Sequence, residues 1–140
     1  MRVKTILRLL VAAMLTLTLV QAAAAGQFED ELLVLINRYR SSKKLKALTG
    51  YPLYYDLARE HSQDMQKRQD MDHDGFAGRF RRAVDARSCV ENVGWNHETP
   101  RNLFDGWKDS PGHRENMLNR KISRAGISRV GTYVTFFACY

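Results

Sequence analysis

The sequence predicts a small α+β domain in which helices cover both faces of a short β-sheet. Two stretches, residues 28–39 and 53–65, repeat their apolar side chains at helical spacing. The tail from Tyr133 to Tyr140 instead alternates as a strand does, and it is apolar on both faces: Tyr133, Phe137 and Cys139 on one, Val134, Phe136 and Ala138 on the other. Because such a strand needs cover on both sides, we expect helices on each face of the sheet.

The remaining elements are predicted from local start and stop signals. Acidic residues at 29–31 favour a first helix over 28–39, and Pro52 opens a second one that should stop near the polar stretch Asp70 to Gly75. A short basic helix is expected over 76–84 and a strand over 89–95. Thr99-Pro100 and Ser110-Pro111 each provide an N-cap and a proline at the first helical position. Residues 126–130, a turn at 131–132 and the tail complete the sheet.

Residues 1–25 are typical of a secretory signal peptide. Arg2 and Lys4 precede an apolar stretch, and the small residues Ala22 to Ala25 offer cleavage sites. The apolar run after Arg8 is about 12 residues long, short of the roughly 20 that a membrane span needs. We therefore expect cleavage near Ala25, one mature domain over 26–140 with no stable membrane span, and a secreted or periplasmic location.

Length and charge limit the classes of function. A chain of 140 residues holds one ordinary domain. Its net charge of +7 suggests a polyanion binder, but Arg2, Lys4 and Arg8 account for three of those charges, which leaves +4 for the mature domain. An exported domain with no recognition motif is not expected to bind nucleic acid. We expect a monomer.

The two cysteines, Cys89 and Cys139, are predicted to form one disulfide, because export leads to an oxidising compartment. The alternative is a pair of buried free thiols that pack as small apolar residues.

Two histidines are candidates for chemistry. His73 lies in Asp72-His73-Asp74-Gly75 directly after a predicted helix, and its acidic neighbours favour the protonated ring unless burial or a metal opposes them. His113 falls in the first turn of the helix that Pro111 opens, where the helix dipole disfavours imidazolium. A neutral imidazole suits a metal ligand or general base; simple packing at a helix start is the alternative.

Two acids and a third histidine accompany them. Glu91 stands alone in an otherwise apolar strand, so it is either an exposed strand residue or a partly buried carboxylate that needs hydrogen bonds or a cation. Asp109 ends a predicted helix beside Ser110 and either joins the site or faces water. His61 lies on the apolar stripe of the second helix and is expected to be a core or helix-packing residue. No standard metal, nucleophile or phosphate-loop motif is present.

The order of these motifs resembles the CAP superfamily of cysteine-rich secretory, antigen 5 and pathogenesis-related proteins, in its short bacterial SCP-like branch. The resemblance rests on the stretch 57–65, His73, Glu91-Asn92-Val93-Gly94, Trp107 and Ser110-Pro111-Gly112-His113-Arg114-Glu115-Asn116-Met117-Leu118. It implies a three-layer α-β-α sandwich with a small, mainly antiparallel sheet. It also implies a cleft that holds two histidines and two acids. His73 and His113 match the histidines, and Glu91 matches the first acid. Only Asp109 approximates the second acid, at an altered offset and with a shorter reach.

The resemblance implies a binding module for a lipid, peptide or cell-envelope component. One alternative is a zinc-assisted hydrolase acting on peptides, with His73 and His113 as metal ligands and Glu91 as base or ligand. The other is a structural interaction domain without catalysis. Separately, the basic cluster Arg79, Arg81, Arg82 and Arg87 is either a contact for acidic headgroups or polymers, or a solvated helix face.

Overall fold

Residues 26–140, which the computed structural model describes, form five helices and a four-stranded sheet. The expected signal peptide lies outside these residues. In chain order the elements are α1 (26–42), β1 (Thr49–Gly50), α2 (Pro52–Arg68), α3 (Phe76–Arg82), β2 (Cys89–Trp95), α4 (Pro100–Asp109), α5 (Pro111–Met117), β3 (Arg124–Val130) and β4 (Tyr133–Cys139). No helix in this part of the chain is both long and apolar enough to cross a membrane.

The sheet has the strand order β1-β3-β4-β2 and is mainly antiparallel, as predicted. β4 pairs with β3 on one side and β2 on the other, both antiparallel, while the short β1 is parallel to β3. β2 is therefore an edge strand. Its first residue, Cys89, pairs with Cys139, and the two are joined by the predicted disulfide.

Helices cover both faces of the sheet, which confirms the predicted α-β-α sandwich. One face of β4 packs against α1, α4 and α5, in a core that includes Leu32, Ile36, Leu103, Trp107, Met117, Val134, Phe136 and Ala138. The opposite face packs against α2 and α3 through Tyr54, Leu57, Ala58, Phe76, Phe137 and Cys139. The two-sided apolar pattern of the tail thus reflects burial in the middle layer.

Several element boundaries differ from expectation. α2 ends at Arg68, just before the predicted stretch Asp70 to Gly75, because Gln69 adopts a left-handed conformation with φ of 56° and its N–H bonds the Met65 carbonyl. Thr99 is an N-cap as predicted, since its side chain accepts from the Asn102 N–H. Ser110 precedes α5 but makes no such side-chain bond.

Candidate functional site

The centre of the site is the buried carboxylate of Glu91, on edge strand β2. Its side chain is only 2% exposed. Arg79 of α3 donates two hydrogen bonds to it, from Nε to Oε2 at 2.7 Å and from Nη2 to Oε1 at 2.9 Å. Because both charges are buried and fully paired, the arrangement supplies the cationic partner that a carboxylate in this strand requires.

His73 completes this network from the loop after α2. Its Nδ1 lies 2.9 Å from Glu91 Oε1, while 52% of its side chain is exposed. Arg79 also donates from Nη1 to the Asp74 carbonyl, so it fixes the same loop that carries His73. One imidazole edge is thus held by Glu91 and the rest of the ring faces the outside.

His61 also reaches this centre, which the sequence did not indicate. It is buried on α2 as expected, but its Nε2 lies 2.9 Å from the Asp72 carbonyl and 3.7 Å from Glu91 Oε1. Its Nδ1 is buried with no hydrogen-bond partner among the described residues. The helical stripe predicted burial correctly, but a contact with a strand 30 residues later leaves no local signal.

The opposite wall of the site comes from α4 and α5. The side chain of Asn116 donates to the Glu91 carbonyl and to Asn92 Oδ1, and Asn92 in turn donates to the carbonyl of His113. Trp107 donates from Nε1 to the Val93 carbonyl, and its ring centroid lies 6.2 Å from that of His113. Side chains therefore occupy two outward carbonyls of the edge strand and hold α5 against it.

The surroundings shift the pKa values of Glu91, His61, His73 and His113, and not all in the same direction. Burial alone would raise the pKa of Glu91, but the hydrogen bonds from His73 and Arg79 outweigh it and lower that pKa. The bond to Glu91 raises the pKa of His73 against the opposing effect of burial. Burial lowers the pKa of His61, and burial followed by the charge of His73 lowers the pKa of His113. The site thus holds an ionised Glu91, two histidines disposed to be neutral and one disposed to be charged.

An open cavity of about 290 Å³ adjoins this network. It is lined by polar and apolar groups together: His73, Phe76, Cys89, Val90, Glu91 and Asn116. The disulfide and Phe76 give it an apolar side, and the half-exposed His73 and the partly buried Asn116 supply its polar side.

The side chains do not fit the zinc site expected at His73 and His113 with Glu91. Within residues 26–140 no three His, Cys, Asp or Glu side chains are placed to hold a metal ion. Both Glu91 oxygens are engaged by Arg79 and His73, and a catalytic zinc normally takes three protein ligands. We therefore derive no chemical step through a metal.

The structure corrects one expectation about charged residues and, for a second residue, favours one of the two alternatives. The basic cluster of α3 is not one surface, because Arg79 is buried against Glu91 and Arg82 forms a bidentate pair with Glu60. Asp109 is exposed at the end of α4 and, in the described part of the chain, makes no hydrogen bond or ion pair with His73, Glu91 or His113. The structure brings together His73, Glu91 and, on the facing wall, His113, and adds Arg79 and His61.

The three-layer α-β-α fold is that of a CAP domain. Residues 33–140 match the model of the CAP, or cysteine-rich secretory protein, family, and the chain belongs to this family.

Bacterial proteins are among its relatives. The chain is 26% identical over 114 residues to the uncharacterized protein YkwD of Bacillus subtilis, covering 77% of this chain and 44% of YkwD. An extracellular protein of Bacillus anthracis with an SCP domain is 26% identical with a TM-score of 0.78, over 82% of this chain and 41% of that one. A cysteine-rich secretory protein of Staphylococcus aureus, 21% identical over 82% of this chain and 38% of its own, shares the fold with a TM-score of 0.75. The chain spans less than half the length of each of these proteins.

Proposed function

We propose that this chain is an extracellular binding module whose cleft beside His73 and Glu91 holds part of a peptide, lipid or other cell-envelope component. The signal-peptide pattern of residues 1–25, with cleavage near Ala25, and the extracellular relative from Bacillus anthracis support this location. In this proposal the domain 26–140 acts as a monomer and does not bind nucleic acid.

The observation that carries the proposal is the pairing of a fully compensated charge network with an open cavity. Glu91 is held by Arg79 and His73, so its carboxylate is neither a free base nor a nucleophile. Such a network fixes the geometry of the cavity wall. A rigid, preorganised wall lowers the entropic cost of holding a ligand, which is what a binding module requires.

The size and the lining of the cavity limit the kinds of ligand that it can hold. About 290 Å³ lies at the small end of ligand sites, so the cavity suits a peptide side chain or a headgroup rather than a complete acyl chain. His73 and Asn116 provide the polar contacts, and Phe76 and Val90 the apolar ones. The ligand part that enters is therefore amphipathic.

The test is an NMR titration of the full chain with a panel of short peptides, lipid headgroups and peptidoglycan fragments. We expect at least one member to shift the signals of the cavity-lining residues, with binding weakened about tenfold or more in His73→Ala. His97→Ala is the matched control, since His97 packs near Gly106, away from the cavity. If ligands shift only signals remote from the cavity, or if His97→Ala weakens binding equally, the proposal is wrong.

Calorimetric zinc titration distinguishes this proposal from the alternative function, a zinc-assisted hydrolase acting on peptides. We expect no binding heat at micromolar zinc, because two histidines without a free third ligand make a weak site. Tight zinc binding that disappears in His73→Ala/His113→Ala, together with zinc-dependent peptide hydrolysis, would replace the binding module with the metal-assisted enzyme.

A further inference from the structure

One end of the sheet carries a concentration of positive charge. β2 and β3 begin there and β4 ends there, because Cys89 and Arg124 both pair with Cys139. The residues just outside the strands line a cavity of about 480 Å³: Arg87, Ser88, Arg120, Lys121 and Tyr140. These five residues form the basic end of the sheet. It lies apart from the network around Glu91.

The cations of the basic end are not neutralised by neighbouring acids. Arg87, Arg120 and Lys121 are exposed, and none of them takes part in an ion pair of the described residues, whereas Arg59, Arg68, Arg82 and Arg101 all do. Among the residues that the structure describes, no acidic side chain lines the cavity. Lys46 adds a fourth exposed cation, because buried Arg40 bonds the carbonyls of both Lys46 and Asn119 and so draws their loops together. Charge of one sign gathered in a concave surface attracts anions.

We propose that the basic end docks on an anionic phospholipid surface. Tyr140 favours a membrane over a soluble polyanion, because the residue is 52% exposed and its ring centroid lies 5.9 Å from the Arg87 guanidinium. A tyrosine has an apolar body and a polar tip, which suits the headgroup level of a bilayer. The concave shape admits a phosphate headgroup between Arg87, Arg120 and Lys121, and Ser88 adds a hydroxyl donor. This surface acts independently of the proposed cleft ligand.

The experiment is vesicle co-sedimentation of the full chain with phosphatidylcholine vesicles, with and without about a third phosphatidylglycerol. We expect binding to the anionic vesicles that weakens as salt is raised, since exposed charges are screened within about 10 Å at 0.1 M salt. Arg120→Gln/Lys121→Gln should bind about 30-fold more weakly, because two surface cations contribute about 2 kcal/mol together. The matched control Lys67→Gln/Arg101→Gln removes the same charge from α2 and α4 and should change binding less than threefold.

Each contrary result has a definite meaning. Equal loss in the two double variants would show attraction by net charge alone and overturn the proposal. Equal binding to neutral vesicles would assign the interaction to apolar segments of the chain, with the same consequence. If inorganic polyphosphate binds the basic end and anionic vesicles do not, the site is for a soluble polymer and the membrane proposal fails. Thermal unfolding of both variants checks that they are folded.

Discussion

Arg79 and Glu91 are opposite charges with almost no contact with water. Their side chains are 9% and 2% exposed, and two hydrogen bonds join them. Removing Arg79 would leave the buried Glu91 carboxylate with only the half-exposed His73 as a partner. Breaking a buried ion pair in this way costs more than the intact pair contributes to stability.

We therefore expect Arg79→Ala to lower the free energy of unfolding by about 3–5 kcal/mol. The comparison is Arg82→Ala, one turn along the same helix, whose pair with Glu60 is about half exposed and should contribute less than about 1 kcal/mol. Urea denaturation of both variants measures the difference. Similar losses for the two would contradict the assigned role of Arg79.

The histidines should titrate in a fixed order. We expect NMR to find the pKa of His73 above 6.5, because its ring bonds Glu91, and the pKa of His113 below 6.5, because burial disfavours its charged form. A Glu91→Gln variant that remains folded should bring the pKa of His73 down. A pKa of His73 at or below that of His113 would contradict the described geometry.

A pH dependence of stability follows from the direction of the His73 shift. Since its pKa is raised on folding, its stabilising contribution is complete below about pH 6.5, the unfolded value, and is lost as the pH rises through the folded pKa. His73→Gln should therefore destabilise the protein more at pH 5.5 than at pH 8.5, as measured by denaturation at the two pH values.

Some residues of the site could be picked out from the sequence and others could not. His73, His113 and Glu91 were identifiable because a polar group in a loop, at a helix start or within an apolar strand stands out locally. Arg79 lies among other arginines of a short helix, and only the need of Glu91 for a cation pointed to a partner. That need does not say which arginine supplies it, because the answer depends on how α3 packs against β2.

At the scale of elements, α2 lies so close to β3 that a glycine is required between them. A Cβ at Gly126 would overlap the backbone of Tyr54 and Tyr55, at the start of α2. Backbone atoms cannot move aside as a flexible side chain can, so a substitution there must push the helix off the sheet.

We expect Gly126→Ala to destabilise the domain by about 1–3 kcal/mol or more, the usual cost of overpacking. Gly112→Ala is the matched control, because nothing lies within 4 Å of a Cβ there and alanine favours a helix. Thermal unfolding should show a lowered midpoint for the first variant and an unchanged or raised one for the second. Equal midpoints would contradict the close approach of α2.

The elements themselves were largely predictable. The β2 boundaries and the N-cap at Thr99 match expectation, since both depend on short-range signals. α2 ends just before the predicted polar stretch Asp70 to Gly75, and the exact residue was not predictable because nothing in the sequence indicates that Gln69 adopts the left-handed conformation. The two-residue β1 was not predicted, as so short a strand has no period to recognise.

For the whole molecule, the disulfide links the strand that carries Glu91 to the central strand. It closes a separation of 50 residues between Cys89 and Cys139. The chain-entropy model gives a crosslink of this length about 4 kcal/mol of stabilisation, by restricting the unfolded chain.

Cys89→Ser/Cys139→Ser should accordingly lose about 4 kcal/mol, measured by chemical denaturation under oxidising conditions. Reduced wild type serves as the control and should behave like the variant, because both lack the same constraint. A loss below about 1 kcal/mol would show that the folded sheet alone maintains the pairing of β2 with β4.

The position of β4 in the sheet has a consequence for how the domain is made. Within residues 26–140, β4 is the only strand that pairs with β2, and it joins β2 to β3, yet it follows both of them in the chain. Contacts between residues so far apart along the chain form slowly, since a long loop must close before they stabilise anything. During synthesis the strand with Glu91 therefore lacks its neighbour β4 until residues 133–139 emerge, so the sheet is completed only after the two strands that flank β4 have been made.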